Sequence, residues 1–177
     1  FYRHAADLEA AFSALFARTH GAVLISDACA MSARVAASRA GGVITFGRSG
    51  DFRAEVTAES GERMTLRRGG RFPGGDAVVG ARGDFNAANA TAALAAAHVM
   101  GADVAANALA AFPGVRRRQT VLDDAGGITV LEDYAHHPAE IRALLGSLRR
   151  RLGANGKLRV VFQPHRYTRT AQFKAEF

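Results

Sequence analysis

The fold is decided by residues 128–152, which read ITVLEDYAHHPAEIRALLGSLRRRL. The apolar start of this stretch predicts a strand over residues 128–133, and polar residues crowd together where that strand ends. Pro138 then stands at an early helical position, where a missing N–H does no harm, and a helix is predicted from about 138 to 152. A strand that leads through a polar loop into a helix is the building unit of an α/β domain.

The N-terminal half of the chain contains a second α/β pattern. Helices and strands alternate there, with predicted helices at residues 5–18 and 28–39 and predicted strands at 22–25 and 43–46. That alternation is typical of parallel strands. Residues 51–82 differ, because short strands separated by Gly-rich turns predict an antiparallel patch. Its strands are expected at residues 52–57, 64–66 and 77–79, followed by helices at 86–100 and about 103–111.

A boundary between two domains is predicted at Phe112-Pro113-Gly114, because proline and glycine disfavour helix continuation and a charged run follows. The two predicted domains are residues 1–113 and 114–177. The second domain is expected to alternate β and α elements once more. Its predicted elements are strands at 119–123, 128–133 and 157–162, the helix at 138–152, and a polar loop at 163–170 that leads into a further helix.

Composition restricts the classes of function that remain open. The chain of 177 residues has a net charge of +7, almost all of it from arginine. The basic residues form separate clusters, which suit a small substrate that carries phosphate about as well as they suit a nucleic acid. No nucleic-acid partner is expected. Cys29 is the single cysteine, so an internal disulfide is excluded, and we expect a small buried hydrophobe there. No stretch has the length of a membrane span, so no membrane partner is expected.

Two amides at the start of the helix predicted over 86–100 form the first candidate binding group. Asn86 is expected at the N-cap of that helix, and Asn89 lies three residues further on the same face. An amide carries donors and an acceptor, which suit the mixed edge of an adenine ring. A plain N-cap followed by a surface amide is the simpler interpretation of the same two residues.

The second candidate group follows the strand predicted over 128–133. Ligands of open α/β sheets bind at the carboxyl ends of strands. Asp133 can accept hydrogen bonds from ribose hydroxyls there, and His136 and His137 offer donors near neutral pH. An Asp and a His that only cap a turn would explain the pattern equally well. Adjacent His residues rarely chelate one metal from a strand end, so no metal site is predicted.

Basic residues make up the remaining candidates. His165, Arg166 and Arg169 follow the strand predicted over 157–162, and the planar guanidinium of arginine is suited to clamp a carboxylate. Loops at strand ends often carry function, so we favour binding over a solvated loop. At the predicted domain boundary, the arginines of residues 116–118 could contact a polyphosphate, although a solvated linker is the simpler interpretation.

In this order and spacing, these segments resemble the Mur ligase family. Residues 83–101 look like its Gly-x-(His/Phe)-Asn-x-x-Asn segment with an alanine-rich helix, and residues 112–118 look like its Phe-x-Gly-Val-x-Arg-Arg junction. Residues 133–138 match Asp-Tyr-(Ala/Gly)-His-His-Pro, and residues 162–170 match Phe-Gln-Pro-His-Arg-Tyr-Thr-Arg-Thr. The last two strings are long and specific. They resemble the branch of the family that adds L-alanine to UDP-N-acetylmuramate in peptidoglycan precursor synthesis.

The resemblance implies a fold of two partial domains. Residues 1–113 look like the later part of a central P-loop-type ATPase domain with its antiparallel insert, and residues 114–177 like the first part of a Rossmann-like C-terminal domain. It also implies ATP-dependent amide formation through an acyl phosphate in the bacterial cytoplasm, with ATP and Mg²⁺ as cofactors. The implied substrates are UDP-N-acetylmuramate and L-alanine.

The resemblance implies a role for each matching residue. Asn86 and Asn89 are the implied adenine contacts, and Asp133 is the implied ribose partner. Arg117 and Arg118 are the implied contacts to the nucleotide across the domain cleft. Arg166 and Arg169 are the implied clamp for the alanine carboxylate, and His165 and His136 or His137 line the same pocket. One departure is Glu132, which stands where relatives have a first Asp before Asp133.

No catalytic residue or metal ligand is assigned within the chain. A Gly-x-x-Gly-Lys-Thr phosphate loop does not occur in the sequence, and the family's magnesium ligands are expected upstream of it. The chain starts without a methionine or a signal peptide and ends inside a helical pattern, from which we expect a piece of a longer protein. These residues alone are therefore expected to lack ligase activity and to be poorly stable.

Three alternatives stay open on the sequence. The same chemistry with a peptide in place of alanine would define a tripeptide-recycling ligase, although residues 162–170 argue against it. A non-catalytic nucleotide- or RNA-binding module could use the basic clusters, and its binding would fall steeply with salt. A degenerate paralogue with a regulatory role is the third alternative.

Overall fold

The structure, a computed structural model, describes residues 2, 4–102 and 104–177. Its contacts divide the chain into two compact units, Phe1–Phe112 and Pro113–Phe177. Both units combine helices with strands, so the predicted α/β class is confirmed. Among the helices of the described residues, none is long and apolar enough to cross a membrane.

The first unit is built around a mixed sheet. Its described elements are α1 (Ala5–Arg18), β1 (Val23–Ser26), α2 (Ala30–Ala36), β2 (Val43–Gly47), β3 (Phe52–Ser60), β4 (Arg63–Gly70), β5 (Asp76–Val79) and α3 (Asp84–Val99). The strands lie in the order β1-β2-β3-β4-β5. β1 and β3 both pair with β2 in parallel, whereas β4 pairs antiparallel with β3 and β5. The predicted change from parallel to antiparallel pairing is therefore confirmed.

The main core of the first unit lies between α3 and the sheet. Leu94 and Ala95 on α3 belong to one buried cluster with Ile44 and Phe52. Phe52 is fully buried, and the centroid of its ring lies 4.7 Å from that of Phe72. Complete burial of an apolar side chain of this size stabilises a fold by about 1.5–3 kcal/mol. This packing holds α3, and with it the two candidate amides, against the sheet.

A close approach between two backbone segments occurs where β4 ends. Gly70 has a φ of +68°, and a Cβ at this position would lie 2.1 Å from the carbonyl oxygen of Asp51. The N–H of Arg71 donates to the same carbonyl at 2.8 Å. Only glycine offers both the required φ and the required space, so Gly70 joins the end of β4 to the loop before β3.

The second helix is shorter than the predicted range of 28–39, and it changes the interpretation of Cys29. Cys29 is the N-cap of α2 and is only half-buried, so the expectation of a buried hydrophobe is wrong. The reason is its position at a helix end, which leaves the thiol partly open to solvent. The hydroxyl of Ser32 donates to its Sγ at 3.1 Å, and this hydrogen bond lowers the pKa of the Cys29 thiol.

The helix predicted at about 103–111 is wrong for residues 104–111, while residue 103 lies outside the described part of the chain. The described residues form turns along the edge of β5. The N–H of Gly80 donates to the carbonyl of Leu109 at 2.8 Å, and Leu109 forms an isolated parallel bridge to β5. Because backbone groups at a strand edge need partners, this pairing overrides the helical propensity of the alanines.

The second unit contains a β-hairpin and two helices among its described residues. They are β6 (Thr120–Ala125), β7 (Ile128–Glu132), α4 (Pro138–Leu152) and α5 (Tyr167–Gln172). β6 and β7 pair antiparallel through a two-residue turn at Gly126 and Gly127, whose φ angles are +60° and +75°. Such angles are typical of the tight turns that close hairpins. The helix predicted at 138–152 is confirmed at both ends.

The strand predicted at 157–162 is wrong. These residues belong to neither sheet of the described structure, although the chain is apolar there. Val161 is fully exposed, and about half of Val160 is exposed. A strand requires hydrogen bonds to a neighbouring strand, and apolar composition alone cannot supply them. The predicted loop at 163–170 is also shortened, since α5 begins within it at Tyr167.

Candidate functional site

The first candidate group lies at the start of α3. The helix begins at Asp84 with Gly83 as its N-cap, so the prediction that Asn86 caps the helix is wrong. Asn86 is instead the third helical residue, and its Nδ2 donates to the carbonyl of Arg82 at 2.7 Å. Asn89 is exposed on the same helix, three residues later. The N–H of the N-cap residue Gly83 is bound by a carboxylate from a distant part of the chain.

That carboxylate belongs to Glu59, near the end of β3. Glu59 accepts the N–H of Gly83 at 3.1 Å and pairs with the guanidinium of Arg82 at 3.2 Å. Arg82 also donates to the carbonyl of Gly61 in the turn between β3 and β4, at 2.8 Å. Both side chains of this ion pair are at most one-third exposed. We call Glu59 and Arg82 the hairpin clasp, because they tie the β3–β4 turn to the segment that carries Asn86.

The second candidate group is centred on Asp133, directly after β7. Its side chain is 7% exposed, and both of its carboxylate oxygens accept backbone hydrogen bonds. The N–H of Gln119 donates to Oδ2 at 2.9 Å, and the N–H of Ala135 donates to Oδ1 at 2.7 Å. Nη1 of Arg118 lies 3.7 Å from Oδ1. The structure therefore brings together Arg118 and Asp133, two of the residues that are predicted to bind the nucleotide.

Arg117 is held by its own neighbours. Its Nε donates to Oε1 of Glu132 at 2.8 Å, and its guanidinium lies 4.9 Å from the ring centroid of Tyr134. The backbone of Arg117 has a φ of +60°, and that of Gln119 a φ of +51°. Left-handed angles at non-glycine residues cost about 1–3 kcal/mol each and often occur at functional sites. Glu132, the departure from the family pattern, thus has a role as the partner of Arg117.

The two histidines after Asp133 start α4 by different contacts. His137 is the N-cap, and its Nδ1 accepts the N–H of Ala139 at 3.3 Å. Oε2 of Glu140 accepts the backbone N–H groups of His136 at 3.0 Å and of His137 at 3.3 Å. The last of these contacts completes a reciprocal capping box. His136 keeps its ring outside this box, with Nδ1 2.8 Å from the carbonyl oxygen of Tyr134.

The ionisation of Glu140 follows from these contacts. Burial acts to raise the pKa of Glu140, but the N–H donors of His136 and His137 act against it. The charges of His136 and Arg118 act in the same direction as these donors, so the pKa of Glu140 lies below its usual value. The side chain is therefore a carboxylate at neutral pH, with Arg118 on one side and His136 on the other.

The third candidate group follows residues 157–162. The ring centroid of His165 lies 6.4 Å from that of His136, so the structure brings these two predicted pocket residues together. His137 instead faces Phe173, at 4.7 Å between centroids. Arg166 is exposed at the N-cap of α5, with a φ of +70°. On α5, Nη1 of Arg169 is buried and has no hydrogen-bond partner among the described residues.

Sequence reasoning missed the acidic residues that hold these cations. Glu140 could have been found, because His137 and Glu140 have the spacing of a capping box. Glu132 has no comparable signal, because its partner Arg117 lies 15 positions away and outside β6. The hairpin clasp could not be predicted from local sequence, because 23 positions separate Glu59 from Arg82. The contacts of Glu132 with Arg117 and of Glu59 with Arg82 depend on segments that meet only in the folded chain.

Comparison with known proteins identifies the class of protein. Residues 116–177 match the family described as "Mur ligase, glutamate ligase domain". This match and the relatives below confirm that the chain resembles the Mur ligase family, as its motifs predict. It is 45% identical over 140 residues to the UDP-N-acetylmuramate–L-alanine ligase of Anaeromyxobacter sp. (strain Fw109-5). That match covers 76% of this chain and 30% of the relative.

Two further comparisons agree. The chain is 44% identical over 129 residues to the UDP-N-acetylmuramate–L-alanine ligase of Bifidobacterium adolescentis, which covers 68% of this chain and 25% of that relative. The crystal structure of UDP-N-acetylmuramate-alanine ligase from Thermotoga maritima matches with a TM-score of 0.69 at 26% identity. It covers 82% of this chain and 34% of the solved one. The chain thus spans less than a third of the length of these curated relatives.

Proposed function

We propose that these residues are part of an ATP-dependent ligase that joins L-alanine to UDP-N-acetylmuramate. The observation that carries the proposal is the cluster at the end of β7. It combines a nearly buried Asp133 beside Arg118 with a His136 that faces His165. Nucleotide and amino-acid ligands would thus meet at the carboxyl end of one strand, where α/β folds bind ligands. The names of the similar proteins support the same reaction. A bacterial cytoplasmic location is part of the proposal.

The proposal includes an assignment of domains. Residues 1–113 form the later part of a central P-loop-type ATPase domain, with the antiparallel strands β3 to β5 as its insert. Residues 114–177 form the first part of a Rossmann-like C-terminal domain. The residues that hold Mg²⁺ and the ATP phosphates are assigned to other parts of the protein.

The amide of Asn86 and the carboxylate of Asp133 have hydrogen-bonding groups left over that suit a nucleoside. Asn86 donates through Nδ2 to Arg82, which leaves one amide hydrogen and Oδ1 for an adenine edge. The carboxylate of Asp133 accepts two backbone N–H groups and has lone pairs left for ribose hydroxyls. Arg118 beside it supplies positive charge, and Arg117 is assigned a weaker nucleotide contact because Glu132 already binds it.

The proposed task of the pocket residues is orientation. The buried Nη1 of Arg169 has no partner among the described residues, which is a costly state that a bound carboxylate would relieve. Arg166 and Arg169 together would clamp the carboxylate of L-alanine, with His165 and His136 or His137 beside it. The amine of alanine would then be aimed at the acyl phosphate formed from UDP-N-acetylmuramate and ATP. Orientation of two bound reactants can supply several kcal/mol of a barrier.

We expect Arg166→Ala in the intact protein to raise the KM for L-alanine about 10- to 100-fold, because a charged hydrogen bond is lost. The KM for ATP should stay within about twofold, since the variant leaves the assigned nucleotide contacts in place. Steady-state kinetics with each substrate varied in turn measures both values. Lys174→Ala is the matched control, as it removes an exposed cation from the same end of the chain. Unchanged alanine kinetics in Arg166→Ala would contradict the clamp.

The proposal as a whole is tested by ADP release from the intact protein. The protein would receive UDP-N-acetylmuramate and ATP, with L-alanine or the tripeptide as the second substrate. Release that depends on L-alanine supports the proposal. Release with the tripeptide alone would keep the reaction and replace the substrate. A protein that releases no ADP with either, and binds RNA in a strongly salt-dependent manner, would be a binding module instead.

A further inference from the structure

Glu140 contacts both groups of ligand residues in the second unit. One oxygen, Oε2, accepts the N–H groups of His136 and His137 and lies 3.8 Å from Nδ1 of His136. The other oxygen, Oε1, lies 3.9 Å from Nη2 of Arg118. Arg118 belongs to the proposed nucleotide contacts, and His136 to the proposed alanine pocket. A single carboxylate therefore lies between the two proposed binding sites.

We propose that Glu140 is a positioning residue that orients Arg118 and His136 together, so that nucleotide and L-alanine are held in one geometry. This inference rests on the proposed function. Glu140 acts through the two side chains and touches neither substrate. Its place at the start of α4 is well suited to this task, because the capping box fixes the carboxylate relative to the helix.

Helix capping alone does not account for these contacts. A capping box needs one acceptor oxygen at this position, and glutamine serves as well as glutamate. The negative charge of Glu140 has a separate use, because Arg118 lies between Oε1 of Glu140 and Oδ1 of Asp133. Two carboxylates that face one guanidinium restrict its orientation more than a single pair does. The lowered pKa of Glu140 keeps that charge in place at neutral pH.

The other described acids near this cluster have different partners. Glu132 binds Nε of Arg117, and its side chain and that of Arg117 are both exposed by more than a third. Asp133 binds the backbone of Gln119 and Ala135. Glu140 alone among these three carboxylates contacts a residue of the proposed alanine pocket. The link between the two sites is therefore specific to its position.

The test compares Glu140→Gln with the wild type in the intact protein. Glutamine keeps the capping hydrogen bonds and removes the charge, so the far-UV circular dichroism should not change. The KM values for ATP and L-alanine should each rise about threefold, which is the range of a partly exposed ion pair. Glu176→Gln removes an exposed charge from the same unit and should leave both values unchanged. Equal KM values in Glu140→Gln and the wild type would show that Glu140 only caps α4.

A double-mutant cycle separates positioning from a general loss of charge. If Glu140 acts on the nucleotide through Arg118, Glu140→Gln should add no further change to the KM for ATP in an Arg118→Ala background. Additive effects would overturn the inference. Wild-type protein without ADP release would refute the proposed function instead. In that case NMR still tests the role of Glu140. Glu140→Gln should shift the side-chain signals of Arg118 and His136, and unshifted signals would overturn the proposed positioning role.

Discussion

The two units of the chain are stabilised in different ways. The first unit buries a set of large apolar side chains, and Phe52, Met64 and Leu66 are almost completely inaccessible. In the second unit, the buried positions among the described residues are Pro138 and Ser147, while Val161 and Tyr167 are almost fully exposed. Most of the candidate ligand residues nevertheless lie in the second unit. Apolar burial therefore stabilises one unit, and polar contacts organise the candidate site in the other.

This difference has a physical consequence for stability. Apolar burial contributes about 25 cal/mol per Å² and requires no exact geometry, whereas exposed ion pairs contribute about 0–1 kcal/mol each. The first unit should therefore resist unfolding better than the second. In the second unit, Arg117 and Gln119 also have strained backbone angles. A site that combines strain with little apolar burial is expected to gain order when its ligands bind.

The largest expected effect is that of Phe52→Ala. Removal of this fully buried ring should lower the free energy of unfolding of the first unit by about 3–5 kcal/mol, because a cavity remains beside Phe72. Urea unfolding followed by far-UV circular dichroism measures the change. Val161→Ala is the control in the second unit and should cost less than about 0.5 kcal/mol, because Val161 is fully exposed. Equal losses in both variants would contradict the contrast between the units.

A smaller effect is expected at two glycines with similar backbone angles. Gly70→Ala would bring a Cβ within 2.1 Å of the carbonyl of Asp51, whereas a Cβ at Gly126 would meet nothing within 4 Å. Gly126→Ala should cost about 1 kcal/mol from the left-handed angle alone. Gly70→Ala should cost about 2–3 kcal/mol, because the backbone must also move. Urea unfolding of both variants tests this ranking. Equal losses in the free energy of unfolding would mean that the close backbone packing at Gly70 does not distinguish the first unit from the second.

The smallest expected effect is the pH dependence that Glu140 contributes. The pKa of Glu140 is lowered in the folded state from its usual value of 4.5. The carboxylate therefore stabilises the fold above that value, and the contribution is lost as the pH falls through the lower folded pKa. The wild type should lose more stability than Glu140→Gln between about pH 6 and pH 3. Parallel pH dependence in the two proteins, measured by urea midpoints, would show that the charge of Glu140 does not contribute.

The elements that were predicted correctly have strong local signals. The range of α1 follows from the helical spacing of its apolar residues, and that of α4 from Pro138 at its start. The types of residue in the candidate site were also visible in the sequence, with Asp133 and His136 after β7 and His165 after the apolar residues 157–162. Their spacing along the chain suggested function because polar groups at strand ends often bind ligands. These features depend on residues that are close in sequence.

The wrong predictions concern features that depend on distant partners. In place of the helix expected at about 103–111, the described residues hydrogen-bond to the edge of β5. The residues of the strand expected at 157–162 pair with no neighbouring strand. The N-cap is Gly83 and not Asn86, and the N–H of Gly83 is bound by Glu59 from another part of the chain. Secondary-structure propensity does not indicate which backbone N–H and C=O groups will lack a hydrogen-bond partner. Those needs arise only when the sheet has formed.

By itself, the sequence determined the α/β class, the change from parallel to antiparallel strands, and the residue types of the candidate site. Each of these follows from local periodicity, turn residues and motif spacing. Only the tertiary structure decided that Glu59 binds Arg82, that Glu132 binds Arg117, and that Glu140 lies between Arg118 and His136. The physical reason is that hydrogen bonds and ion pairs act over a few ångströms. Residues far apart in sequence reach that range only after the chain has folded.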